Sequence, residues 1–122
     1  MKTVLVVEDD PYLRRVFKTL LENEGFTVLE AADGMEGLSA VHAHDPACIV
    51  TDTMMPRMDG LGMLAQLKAR GETRPTIIVS AIHKLPPMEE LKALGVEQVF
   101  GKPFAFDQLV AAVVNLAGGE KE

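Results

Sequence analysis

Short apolar runs alternate with amphipathic stretches along the whole chain. Residues 4–7 are a continuous aliphatic run, which predicts a strand buried on both faces. Leu13, Val16, Phe17, Leu20 and Leu21 then recur at i, i+3, i+4, i+7 and i+8. That spacing is one face of a helix, and Arg14, Arg15, Lys18 and Glu22 fall largely outside it. Pro11 suits the first helical turn, where its missing N–H is not needed, and Gly25 supplies a stop. A second strand is expected over 26–29 and a helix over 36–44, with Leu38 and Val41 inward and Asp45-Pro46 as its end. A third strand covers 47–50, followed by a helix marked by Leu61, Leu64, Ala65 and Lys68 that ends near Arg70-Gly71. Pro75 precedes a fourth strand over 76–79, which Ser80 closes. After a loop over 81–87 come a short helix over 88–94, stopped by Gly95, and a fifth strand over 96–100. Lys102-Pro103-Phe104 turns the chain, and Asp107 is expected to cap a last helix reaching Leu116.

Strand and helix therefore alternate throughout, which predicts an α/β fold: a parallel sheet of five strands, joined by right-handed crossovers, with helices on both faces. Residues 1–117 read as one domain and 118–122 as a polar tail, without a repeat, linker or low-complexity segment. In open sheets of this kind, ligands sit outside the carboxyl ends of the strands. Asp9, Asp52, Ser80 and Lys102 all fall just after apolar runs, so the fold would gather four unlike polar groups at one edge.

Composition narrows the function. The 122 residues are 48% hydrophobic and 25% charged, which is ordinary for a soluble globular domain. A net charge of −6 argues against direct binding to nucleic acid or an anionic membrane, both of which need a basic surface. No apolar run approaches the roughly 20 residues of a membrane helix, so no membrane insertion is expected. The N-terminal run stops at Glu8-Asp9-Asp10, too early for a signal peptide. The lone Cys48 reads as a small core hydrophobe, and a chain with no disulfide framework fits the cytoplasm.

The chemistry centres on Asp52, delivered by an apolar strand to its tip. Asp9 would follow an adjacent strand, with Glu8 or Asp10 close by. Two carboxylates about 5 Å apart repel by roughly 3 kcal/mol at an effective dielectric near 20. Either one of them holds a proton or a cation sits between them. Hard oxygen ligands with room for water suit Mg²⁺. Lys102 would hold an ammonium over the same crevice, and the Lys102–Pro103 bond is a candidate for the cis form. Ser80 lacks a nucleophile elbow between Val79 and Ala81, so its hydroxyl suits donation to a bound oxyanion. A carboxylate nucleophile, a divalent cation, an ammonium and a hydroxyl are the parts for phosphoryl transfer onto Asp52. Asp33, Asp45, Asp59 and Asp107 read instead as turn and cap residues.

At these residues the chain resembles the receiver domain of two-component response regulators, of the chemotaxis-regulator type, over residues 2–117. The motifs are Glu8-Asp9, the block Asp52-x-x-Met55-Pro56-x-Met58-Asp59-Gly60, Ser80-Ala81 and Lys102-Pro103-Phe104. The resemblance implies a flavodoxin-like, doubly wound (βα)5 fold with sheet order 2-1-3-4-5. It implies that Asp52 accepts phosphate from a sensor histidine kinase or a histidine phosphotransfer protein. Mg²⁺, or Mn²⁺ in its place, would be held by Asp9, Asp52 and the backbone carbonyl of Met54, with Glu8 assisting through water. Ser80 and Lys102 would contact the phosphoryl group. Switching would move the face built from helix 4, strand 5 and helix 5 toward a downstream protein target. The chain would be a signalling phosphoacceptor rather than an enzyme, a monomer or weak dimer. No output domain follows, which leaves a stand-alone regulator or an excised receiver.

Several residues depart from the family pattern. An aromatic residue usually stands three places before the lysine, where this chain has Val99, and Phe100 should point to the opposite face. Ser80, Val99 and Phe100 form the expected switch region, but an aromatic rotamer switch is not expected there, and output would rely on backbone or loop movement. Arg57 stands where glycine is common and adds positive charge to the loop after the site. Met54 and Ile82, two past Asp52 and two past Ser80, are apolar and cannot orient a hydrolytic water, which predicts slow self-dephosphorylation.

Rival readings fare worse. A haloacid-dehalogenase-type phosphatase needs a second Asp where Met54 stands. A P-loop is absent. The acids after the first strand would repel a flavin phosphate. A pseudo-receiver acting as a phosphorylation-independent interaction module remains the alternative, against which stands the intact set Asp9, Asp52 and Lys102. His42, His44 and His83 lack metal-ligand spacing, and Met54, Met55, Met58 and Met63 read as core or rim packing.

Overall fold

A computed structural model describes residues 2–55, 57–81 and 85–118. Pro56, Ile82, His83 and residues 119–122 of the tail lie outside the described residues. The elements are β1 (Thr3–Val7), α1 (Pro11–Glu22), β2 (Thr27–Ala31), α2 (Gly34–His44) and β3 (Cys48–Thr51). They continue with α3 (Gly60–Ala69), β4 (Thr76–Ser80), α4 (Met88–Ala93), β5 (Val96–Gly101) and α5 (Phe106–Ala117). All four strand pairings are parallel, and the order is β2-β1-β3-β4-β5.

The three central strands β1, β3 and β4 are almost wholly buried because both of their faces are covered, whereas the edge strands β2 and β5 expose polar residues. Successive side chains alternate between two cores, as the two-residue period of a strand requires. Val4, Val6, Cys48, Val50, Ile77 and Val79 pack with Phe17 and Leu21 of α1 and Leu109 and Val113 of α5. Leu5, Val7, Ile49 and Ile78 pack with Leu38 of α2, Met63 and Leu67 of α3 and Leu91 of α4. Cys48 is buried in the first of these cores, and burial pushes its thiol up to about 12, so it behaves as a hydrophobe.

Element ends follow local chemistry. Asp10 caps α1 by accepting from the Tyr12 and Leu13 N–H groups, and Pro11 takes the first helical position. Asp33 caps α2 through the Glu36 N–H and Asp59 caps α3 through the Gly62 N–H. Asp45 ends α2 in the left-handed conformation at φ 48°. Two expectations need correction. Asp107 does not cap α5: Ala105 holds the cap position with no side-chain bond, and Asp107 lies inside the first turn, where its charge faces the positive helix end. Phe26 is not part of β2; its N–H bonds the Leu21 carbonyl and closes α1, so the strand starts one residue later and runs on to Ala31.

Candidate functional site

The strand ladder reaches past the formal strand ends and places the site backbone. The Asp52 N–H donates to the Val7 carbonyl at 3.1 Å, and the Glu8 N–H to Ala31 at 3.0 Å. The Lys102 N–H donates to the Ser80 carbonyl at 2.8 Å. Residues far apart in sequence are thereby fixed along one edge, beyond the carboxyl ends of β1, β3, β4 and β5.

Asp52 is 8% exposed, and each of its carboxylate oxygens has a partner. Oδ1 accepts from the Thr53 N–H at 2.6 Å and the Met54 N–H at 3.3 Å. Oδ2 accepts from Lys102 Nζ at 2.7 Å. Lys102 also reaches Glu8 Oε1 at 3.4 Å. One oxygen from each of Glu8, Asp9 and Asp52 lies within 4.8 Å of the others. The choice left open between Glu8 and Asp10 goes to Glu8, because the Asp10 side chain is spent on the α1 cap.

Electrostatics follow from burial. Glu8 is only 2% exposed, and desolvation pushes its carboxyl up to about 7, against the pull of the Asp10 N–H and the Lys102 ammonium. The Asp52 charge and a hydrogen bond shared with Asp9 push it further the same way. Burial works to lower Lys102, but the hydrogen bond to Asp52 and the charges of Glu8 and Asp52 outweigh it and raise its pKa, so it stays an ammonium. The donor set suits a hard divalent cation: three carboxylate oxygens converge, and a cavity of about 360 Å³ beside them, lined by Asp9, Met54, Met55 and Asp59, leaves room for water.

The surrounding loop is tightly built. Gly60 has no space for a side chain, since a Cβ there would fall against the Asp52 carbonyl oxygen. Arg57 sits at φ 66°, a conformation that glycine adopts at no cost. Its guanidinium Nε bonds Asp33 Oδ2 at 2.7 Å, which fastens the loop to the start of α2. The expected loose positive charge near the site is thus neutralised by Asp33, with Glu36 at 3.8 Å. Asp33 is held below its usual range by the Glu36 N–H first and then by Arg57. Met54 is 66% exposed at the rim, Met63 is fully buried, and Met55 and Met58 pack against the α3-side core. The Lys102–Pro103 bond is cis. Val99 packs on the α4 side and Phe100 on the α1 and α5 side, so the two alternate as expected.

Thr53 was not singled out from sequence. Its Oγ1 lies 2.6 Å from Ser80 Oγ, with both residues buried. The signal was slight: one hydroxyl directly after Asp52, with its partner 27 positions on.

The response regulator receiver domain family matches residues 4–114. The chain is 35% identical over 113 residues to the probable C4-dicarboxylate response regulator DctR of Priestia megaterium, covering 91% of this chain and 50% of that protein. It is 42% identical over 117 residues to hybrid signal transduction histidine kinase D of Dictyostelium discoideum, covering 93% of this chain and 7% of that one. Among solved structures, the receiver domain of Francisella response regulator 1452 superposes with a TM-score of 0.85 at 31% identity, covering 97% of this chain and 98% of that one. Response regulator TrrA of Thermotoga maritima, solved in complex with Mg²⁺ and BeF, gives 0.81 at 27% identity over 95% and 99% of the two chains. This chain belongs to the response regulator receiver domain family. It spans about half the length of the DctR relative. Among the described residues, no helix is long and apolar enough to cross a membrane.

Proposed function

We propose that this chain is a phosphoacceptor: a histidine kinase or histidine phosphotransfer protein donates a phosphoryl group to Asp52, in a cytoplasmic signalling pathway that ends on a downstream protein. The observation that carries this reading is the convergence of Lys102 and the oxygens of Glu8, Asp9 and Asp52 at one sheet edge. Asp9, Asp52 and the Met54 carbonyl would hold Mg²⁺, with Glu8 assisting through water. The bound cation supplies charge neutralisation for the transferring group.

In the step itself, an Asp52 carboxylate oxygen attacks phosphorus. The new P–O bond forms as the P–N bond of the donor histidine breaks, and the imidazole nitrogen keeps the electron pair. Lys102, already 2.7 Å from Asp52, stabilises the negative charge on the phosphoryl oxygens, and the Ser80 hydroxyl donates a hydrogen bond to one of them. With Val99 in place of an aromatic residue, output through α4, β5 and α5 would run through backbone and loop movement.

Incubation with acetyl phosphate and Mg²⁺, read by mass spectrometry, tests the reading. The expected result is one phosphoryl group added to the native chain and none to Asp52→Asn. An unaltered native mass would instead favour a pseudo-receiver that acts only by binding partners.

A further inference from the structure

We propose that Thr51 is a positioning residue: its hydroxyl sets the peptide plane between Asp52 and Thr53 and, through that plane, aims the Asp52 carboxylate for phosphoryl transfer. The inference rests on Asp52 being the phosphoacceptor. Strand β3 ends at Thr51. The Asp52 N–H still belongs to the ladder, donating to the Val7 carbonyl at 3.1 Å. The peptide that follows serves the site instead. Its carbonyl, on Asp52, accepts the Thr51 hydroxyl at 2.8 Å. Its N–H, on Thr53, donates to Asp52 Oδ1 at 2.6 Å.

One rigid unit therefore joins the two bonds. A trans peptide holds its C=O and N–H in one plane, pointing opposite ways, so fixing the oxygen end aims the N–H end. The direction of the Thr51 bond is fixed too. A carbonyl oxygen can only accept, so the hydroxyl spends its one proton there. Thr51, Asp52 and Thr53 are all buried, so water does not stand in for a lost partner. On the α3 side, Gly60 leaves this carbonyl the space it occupies, since a Cβ there would fall against the Asp52 oxygen and crowd Thr51 Oγ1. Without the Thr51 proton the plane is free to turn about its flanking bonds. The Thr53 N–H then leaves its line with Oδ1, and the carboxylate loses its shortest anchor, against 2.7 Å to Lys102 and 3.3 Å to the Met54 N–H. Valine keeps the branched shape of threonine without the proton, and serine keeps the proton without the methyl. The two variants separate hydrogen bonding from packing.

Two readings test the proposal on the whole chain. The Thr53 amide proton resonance, measured by NMR without metal, reports the aim of the plane. The rate of phosphorylation by acetyl phosphate with Mg²⁺ reports its consequence. Thr51→Val should move the Thr53 resonance upfield as its bond to the carboxylate weakens. The Glu36 resonance, whose N–H donates to Asp33 at 2.9 Å, should stay in place. The same variant should be phosphorylated about three- to tenfold more slowly, the range of one net hydrogen bond. Thr51→Ser should return both readings to native values. A role in stability alone would leave the Thr53 resonance of the folded chain unmoved. A native Thr53 resonance or a native rate in Thr51→Val overturns the proposal, as does a Thr51→Ser chain that behaves like Thr51→Val. Should Thr51→Val fail to fold, Thr51→Ala carries the same test with the same outcomes. A native chain that takes up no phosphoryl group defeats the phosphoacceptor reading, and this proposal with it. Native phosphorylation with no slowing in the variant defeats the positioning role alone.

Discussion

At the amino-terminal edge of the sheet, Arg74 Nη2 holds Asp45 Oδ1 at 2.5 Å; at the carboxyl edge, Lys102 holds Asp52 at 2.7 Å. The two contacts are near twins in distance and differ in everything else. The Asp45 side chain is 83% exposed and that of Asp52 10%. Water screens the first pair, and exposed pairs typically contribute about 0–1 kcal/mol. The second pair is crowded by Glu8 and Asp9, within a ring of groups that cannot relax independently. Burial, rather than the presence of opposite charges, separates a surface ion pair from a reactive one.

The sharpest way to break this comparison is to remove the buried cation. Lys102→Ala should slow phosphorylation of Asp52 by acetyl phosphate by about a hundredfold, since one preorganised group facing developing charge is worth about that much. A rate within twofold of native would sink the assignment of Lys102.

A second prediction concerns Glu8. In the folded chain its carboxyl titrates near 7, against 4.5 as its ordinary value. Between those values the folded state carries a proton that the unfolded state has lost. Without metal, stability should therefore fall as pH rises through this window and level off above about 7, by about 3 kcal/mol at most. Thermal unfolding in a chelator from pH 5 to 8 measures the slope, and Glu8→Gln should flatten it. A native slope identical to that of the variant would contradict the buried-acid picture.

Smaller effects test the rim. Met54 is exposed beside Asp52 and offers no group to orient a water. Met54→Asn should shorten the lifetime of the aspartyl phosphate about fivefold, close to one hydrogen bond in the hydrolytic step. Radiolabel release measures it, and an unchanged lifetime counts against slow self-dephosphorylation as a property of Met54. Smallest of all, Asp45→Asn should move unfolding free energy by no more than about 0.5 kcal/mol. A larger change would erase the contrast between the two edges.

The alternation of strand and helix was legible from sequence because the central strands β1, β3 and β4 are apolar runs, while the order of the strands came with the family resemblance; Asp9, Asp52 and Lys102 come just after strands and Ser80 closes one. Backbone pairing then leaves those residues little choice of position. What escaped depended on contacts between side chains with no shared pattern. Arg57 was read as a charge beside the site because nothing in its neighbourhood names Asp33, 24 positions earlier, as its partner. Asp107 was read as a cap because aspartate often is one, yet the turn after Pro103 brings the helix in two residues sooner. Thr53 is unremarkable alone, and only the parallel register of β3 and β4 makes it a neighbour of Ser80.

The crowding at Gly60 carries a consequence of its own. Any heavier residue there must displace the peptide oxygen of Asp52, and with it the backbone that carries the reactive carboxylate. Position 60 therefore offers no gradations. Adjustments of timing must be written at neighbours such as 54, whose side chain changes without moving the main chain.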